Sequence, residues 1–175
     1  ILDGRSQIIG SPTAMSTAGD ARFGIVRRFA SASSAFITLA HTPALSMLGD
    51  ISFVAWIKPA SYANYRMLFT KTSGTVAAPY ALFLNNGNGV PVWFRGNGSS
   101  EVALSATAAP PVGAWSCIGV SQVGNVATHY LNGVANGSGA STASTADAGN
   151  PLYIGKRSDG YYFDGDMAFI RIVPR

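Results

Sequence analysis

The run Ile51-Ser52-Phe53-Val54-Ala55-Trp56-Ile57-Lys58 constrains this chain more than any other stretch. Side chains of an extended strand point to opposite faces in turn, so Ile51, Phe53, Ala55 and Ile57 share one face and Val54 and Trp56 take the other. Both faces are apolar, which predicts a strand near the middle of a sandwich and covered on each side. Similar short runs recur over residues 36–40, 66–71, 80–85, 90–95, 101–105, 115–122, 126–131, 152–155 and 166–173. Between them stand turn signals. Asn86-Gly87, Asn97-Gly98, Asn132-Gly133 and Asn136-Gly137 suit backbone with positive φ, and Gly124-Asn125 reads as a tight hairpin. Only Thr42–Leu48 reads as a short helical turn, and the Ser/Gly/Ala/Thr-rich tract 137–149 reads as a surface loop. About ten short strands at this spacing predict an all-β fold, an antiparallel sandwich or barrel.

Composition narrows the function classes. Ala, Gly, Ser and Thr supply 76 of 175 residues while charged residues supply only 11%, so the surface is coated with small neutral groups rather than ion pairs. The net charge of +4 is dispersed: the only adjacent cations are Arg27-Arg28 and Lys156-Arg157, with no interleaved aromatic run. No nucleic-acid partner is therefore expected, whereas acidic polysaccharides stay within reach. No apolar run reaches the length of a membrane span. Cys117 is the single cysteine, so no internal disulfide can form, and its apolar surroundings read as core. The length suits one domain spanning 1–175. The chain opens on Ile1 without Met or a signal-like segment, the pattern of a processed or excised piece.

Five motifs resemble a known family in order and spacing from about residue 22 onward. Arg22-Phe23-Gly24 with Arg28-Phe29 is similar to its opening strand, and Phe53-Val54-Ala55-Trp56-Ile57-Lys58-Pro59 to its central strand. Pro111-Val112-Gly113-Ala114-Trp115 and Tyr130-Leu131-Asn132-Gly133-Val134 resemble a core-strand entry and a hairpin. Leu152-Tyr153-Ile154-Gly155 and Phe163 to Ile172 resemble the closing strands. The family is the laminin-G-like group of the concanavalin A-like lectin/glucanase superfamily. The resemblance implies a jelly-roll sandwich of two antiparallel sheets, with Trp56 and Trp115 as apolar plates between them. A first strand is expected near Gln7 to Ile9, paired with the C-terminal strand.

Sandwich glucanases carry Glu-x-Asp-x-Glu on one strand, because a period of two aims alternate carboxylates into one cleft. This chain has one glutamate, Glu101, and its closest carboxylate pair, Asp164 and Asp166, suits turn and strand-entry roles. No enzyme is expected. Calcium at the sandwich rim is the one ion the resemblance leaves open, with Asp20, Asp50, Asp159, Asp164 and Asp166 as candidates. Ala168 stands where many relatives have a ligand, so no cofactor is expected. His41 and His129 are isolated, and His129 reads as a hydrogen-bonded sheet residue. The sequons Asn97-Gly98-Ser99 and Asn136-Gly137-Ser138 read as accidents of composition.

A binding surface remains. Sugars are held by planar aromatics against ring C–H groups and by Asn, Asp and Arg side chains at hydroxyls. Three groups fit: Tyr62, Asn64, Tyr65 and Arg66; Asn85, Asn86 and Asn88 with Trp93 and Arg95; and Asp159, Tyr161 and Tyr162. Trp93 alternates with Val92 and Phe94 and also suits the core. The expectation is a non-catalytic recognition or adhesion module at an extracellular, cell or virion surface, binding a glycan or surface protein. The competing class is a virion structural protein, a capsid decoration or tail component acting through protein contacts or as a homo-oligomer. A divergent carbohydrate-active enzyme is the remote third.

Overall fold

The computed structural model describes residues 10–71, 79–96, 100–142, 147 and 149–174. Fourteen strands follow in chain order: β1 (Ser11–Thr13), β2 (Ser16–Asp20), β3 (Gly24–Phe29), β4 (Phe36–Leu39), β5 (Ile51–Pro59), β6 (Arg66–Thr70) and β7 (Ala81–Leu84). Then come β8 (Pro91–Gly96), β9 (Glu101–Ser105), β10 (Ser116–Val123), β11 (Val126–Leu131), β12 (Val134–Ala140), β13 (Leu152–Ile154) and β14 (Gly165–Pro174). One seven-stranded sheet runs β1-β4-β13-β6-β7-β8-β9 and the other β12-β11-β10-β5-β14-β3-β2. Adjacent strands within each sheet pair antiparallel. The jelly-roll sandwich expected from the sequence is therefore the fold.

The period of two on β5 explains the interior. Ile51, Phe53, Ala55 and Ile57 are at most 4% exposed. In the second sheet they are joined by Ile118 and Val120 of β10 and Met167 of β14, facing Phe69, Leu82, Leu152 and Ile154 of the first. Phe53 meets Phe69 across the layers at 4.4 Å between ring centroids. Turn chemistry links the strands as anticipated at three places, one of them Asn86-Gly87 between β7 and β8, with Gly87 at φ +79°. Gly124 at φ +56° begins the β10–β11 hairpin, and Asn132 with Gly133 at φ +52° and +84° turns β11 into β12.

Several expectations need correction. Trp56 and Trp115 do not fill the interior: both are half-buried on the outside of the second sheet. Trp56 takes the outward side of β5, where Arg22 stacks on it at 3.9 Å, while Phe23 packs against both rings at 5.4 and 4.8 Å. Trp115 precedes β10 and donates its indole N–H to Asp20 at 2.6 Å. The interior tryptophan is Trp93, wholly buried and donating to Gln122 Oε1 across the sandwich at 2.9 Å. The tract from Gly137 does not begin as a loop. It completes β12, and Asn136-Gly137 lies inside that strand rather than on a turn. Asn136 is 7% exposed and exchanges two hydrogen bonds with the Ala108 backbone at 2.8 and 2.9 Å, so the second sequon is a buried structural clamp. The helical turn shrinks to a 3-10 turn at Pro43–Leu45. The strand expected at Gln7 to Ile9 and the sequon at Asn97 lie outside the described residues, and β14 pairs with β3 and β5.

Candidate functional site

Beside the start of β6 the surface opens into a cleft of about 300 Å³. Three separate stretches line it. The 3-10 turn after β3 contributes Ser31 and Ala32, the approach to β6 contributes Asn64 and Arg66, and the loop between β13 and β14 contributes Gly160, Tyr161 and Tyr162. Such a volume lies at the low end of small-molecule sites.

Local sequence explains how the loop holds its tyrosines out. Arg157 grips both Asp159 oxygens at 2.6 Å, a bidentate pair two residues apart that folds the turn on itself. That hydrogen bond, with the nearby positive charge, holds the Asp159 carboxyl below the ordinary aspartate range. Gly160 then adopts φ +91°, a conformation that costs glycine little. The chain closes with Arg157 N–H donating to Tyr161 O at 2.9 Å and with Lys156 bridged to Tyr162. Arg66, 6% exposed, ties the loop to the sheet by donating to Tyr162 O at 3.3 Å. Its other terminal nitrogen donates to Ser61 Oγ at 2.6 Å and lies 3.6 Å from Asp164. Asn64 sits at φ +61°, a left-handed position that asparagine tolerates better than most residues.

The aromatics form two groups that meet at the adjacent residues Tyr161 and Tyr162. Tyr65 meets Tyr161 edge-on at 5.4 Å and Phe83 at 5.7 Å. Arg157 lies 4.6 Å over Tyr161. From Tyr162 the second group runs through Phe36 at 6.4 Å to Tyr153 at 6.2 Å, with the Lys156 ammonium 3.6 Å above Phe36.

The fold therefore brings the first and third sequence-derived groups together: Arg66, Tyr161 and Tyr162 line the cleft, Tyr65 braces Tyr161, and Asp159 shapes the loop. It does not bring in the second group. Arg95 is 1% exposed and donates to the carbonyls of Met47 at 3.3 Å, Gly49 at 3.1 Å and Leu48, pinning the loop before β5. Burial pulls its pKa down to about 10. Asn86 is exposed on the β7–β8 turn, outside the cleft lining. Tyr62 is half-buried, with its ring against Gly89 and its carbonyl accepting from Gly87 N–H at 2.8 Å. Its hydroxyl is buried without a partner among the described residues, and burial pushes its pKa up.

Sequence reading missed Ser31 and Ala32, because a small-residue turn carries no chemical signal before the fold delivers it. It also missed Lys156, Phe36 and Tyr153 as one patch, because the β4–β13 pairing that joins them is long-range. Asp147 was hidden in low-complexity sequence. Its carboxylate meets the fully buried Lys71 ammonium at 2.8 Å and accepts from Ser46 Oγ at 2.5 Å, with His41 3.1 Å from the same ammonium.

The calcium candidates do not converge into an oxygen cage. Asp20 is taken by Trp115, Asp50 by Gly124 N–H at 2.7 Å, Asp159 by Arg157, and Asp166 by Arg28 in a bidentate pair at 2.8 and 3.0 Å. Asp164 accepts from Ser31 N–H at 3.3 Å and Ser61 Oγ at 3.4 Å. A second cleft of about 260 Å³ lies around Asp164 and Asp166, but the Arg28–Asp166 pair occupies it and its one aromatic, Phe29, is buried. Among the described residues no helix is long and apolar enough to cross a membrane.

No curated protein matches the sequence. Solved structures do match in fold. Domain 4 of AbnA, an extracellular arabinanase from Geobacillus stearothermophilus solved with arabinotriose, superposes with a TM-score of 0.70 at 17% identity, covering 93% of this chain and 81% of that one. The Ruminococcus gnavus IT-sialidase CBM40 bound to α2,3-sialyllactose gives 0.62 at 16% identity, covering 79% and 88%. The enzymatically active domain of bacteriophage CBA120 tailspike protein 2 gives 0.67 at 13% identity, and this chain covers only 29% of it. At such identities the likeness establishes the fold. A laminin-G family model of the concanavalin A-like lectin/glucanases superfamily matches residues 31–175, more than half of the chain, and to that family the protein belongs.

Proposed function

We infer that this domain is a non-catalytic recognition module that holds carbohydrate in the Tyr161 cleft, on a glycan-bearing surface outside the cytoplasm. The observation that carries this reading is the convergence of half-buried Tyr161 and Tyr162 with Asn64 and Arg66 at one opening, with Tyr65 bracing Tyr161 from beside it. Flat aromatic faces cover sugar C–H groups, and amide and guanidinium groups meet hydroxyls. The arabinotriose and sialyllactose complexes formed by domains of the same fold support it. The absence of catalysis is proposed because Glu101 is exposed on β9, away from the cleft lining, while Asp164 and Asp166 are engaged by separate donors. A glycan array, probed with wild type and Tyr161→Ala at millimolar calcium and again with chelator, tests this. A sugar-specific signal lost in the variant is expected. A signal of equal strength in the variant would move the site elsewhere, and silence with wild type would remove the reading.

A second reading, assembly into a virion through protein contacts, draws on a different surface. Ile25, Val134 and Phe169 of the second sheet are 79, 70 and 45% exposed, apolar side chains open to a protein partner. Light scattering after size exclusion distinguishes the two: a tight trimer or larger assembly favours this alternative.

A further inference from the structure

We propose that the ligand of the Tyr161 cleft is a carboxylate-bearing sugar, an inference that rests on the recognition reading and narrows its substrate class. Arg66 lines the cleft while 6% exposed, and its buried Nε has no partner among the described residues. The two hydrogen bonds its terminal nitrogens make among the described residues go to neutral oxygens, Ser61 Oγ and Tyr162 O. Asp164 stands 3.6 Å away in an ion pair without a hydrogen bond of its own to the guanidinium. A buried guanidinium with an orphaned N–H is a costly arrangement, and native proteins keep such groups mainly where something else completes them.

A second cation points the same way. Lys156 stands outside the cleft lining but is paired across the backbone with Tyr162, which lines it, and its ammonium and the Tyr162 ring both meet Phe36. Its ammonium rests 3.6 Å from the Phe36 ring and 4.5 Å from Tyr153, and among the described residues it has no carboxylate partner. Aromatic faces hold a cation in place without neutralising it. The carboxylates near the cleft are already engaged: Asp159 in its bidentate pair with Arg157, Asp164 with the main chain of Ser31, the Ser61 hydroxyl and the Arg66 guanidinium. Three cations against two acids leave one positive charge, the Lys156 ammonium, on the aromatic patch that adjoins the cleft at Tyr162. A neutral glycan would use the aromatic rings and leave that charge unanswered. An acid sugar answers both. Its carboxylate meets the ammonium while its ring lies on Tyr161 or Tyr162.

The test uses matched pairs of probes. Tetragalacturonate, a hyaluronan tetrasaccharide and sialyllactose are each titrated calorimetrically against the protein beside their carboxyl methyl esters, which keep the stereochemistry and lose the charge. At least one free acid should bind about tenfold more tightly than its ester, as expected for a charge-assisted contact, and the preference should shrink as salt rises. Lys156→Gln should collapse the difference between acid and ester, with its thermal unfolding midpoint confirming that the variant is folded. Equal binding of acid and ester, both lost in Tyr161→Ala, overturns the charge inference while the recognition cleft stands. Binding by neutral oligosaccharides alone has the same meaning. Failure of every probe, charged and neutral, overturns both.

Discussion

The molecule handles its three tryptophans in two ways. Trp93 lies between the sheets, wholly buried, with its N–H on Gln122 and Phe69 at 6.2 Å between ring centroids. Trp56 and Trp115 lie outside the second sheet, half-buried beneath Phe23 and Arg22. Inside, a large ring fills volume that no other residue would fill, and its single polar atom needs a partner chosen in advance. Outside, the ring only shelters part of a sheet surface that water would otherwise cover. Which face of the strand each residue occupies sets this difference, and its chemical type does not.

Substitutions can break or sharpen the contrast. The largest effect is expected for Trp93→Ala, about 3–5 kcal/mol in urea unfolding, since it opens an interior cavity and orphans Gln122. If that loss matched the outer tryptophans, the contrast would fail. Lys71→Ala comes next, at about 3 kcal/mol, because it leaves the Asp147 carboxylate buried without its cation. The same pair predicts acid sensitivity. Burial alone would raise the Asp147 carboxyl, but the Lys71 ammonium, the Ser46 hydroxyl and the Gly149 N–H hold it below the ordinary value of 3.8. A carboxyl lowered by folding stabilises above its unfolded pKa, and that contribution disappears as pH falls through the folded one. Unfolding midpoints measured between about pH 5 and about pH 2 should therefore drop more steeply in wild type than in Asp147→Asn. Parallel curves would show that the pair contributes nothing.

Trp56→Ala should cost only about 1 kcal/mol, the scale of a cation–π and stacking contact on a partly wet surface. A loss near that of Trp93→Ala would mean that the outer face is covered in solution. Smallest of all is Tyr161→Ala, expected within about 0.5 kcal/mol of wild type in stability while glycan binding falls. A large stability loss would make the loop a structural element instead of a recognition one.

Much of the architecture was readable in advance because strand period and turn chemistry act over a few residues. Ten of the fourteen strands coincide with apolar runs visible in the chain, Glu101–Ser105 and Val126–Leu131 to the residue. The four without that signal, β1, β2, β3 and β12, lie at or next to the sheet edges, where a strand buries little and its sequence need not alternate cleanly. The cleft was half readable. Tyr161 and Tyr162 stood out after a Ser-Asp-Gly turn, and Tyr65 and Arg66 at a strand entry, but nothing in the chain joined the two groups across about ninety-five residues. Arg95 and Arg66 look alike as sequence, yet one is spent on three carbonyls and the other lines an opening.

Local sequence determined which residues extend, where the chain turns, and that the strands would form an antiparallel sandwich or barrel, while the jelly roll was what the family resemblance implied. Only the tertiary structure decided which tryptophan is interior, which arginine is committed to the scaffold, and which distant tyrosines share a cleft. Extension and turning follow from torsional preference and apolar period, properties of neighbouring residues. Burial and convergence depend on which strands lie side by side and which face of each sheet meets the other, and no short window of sequence contains that information.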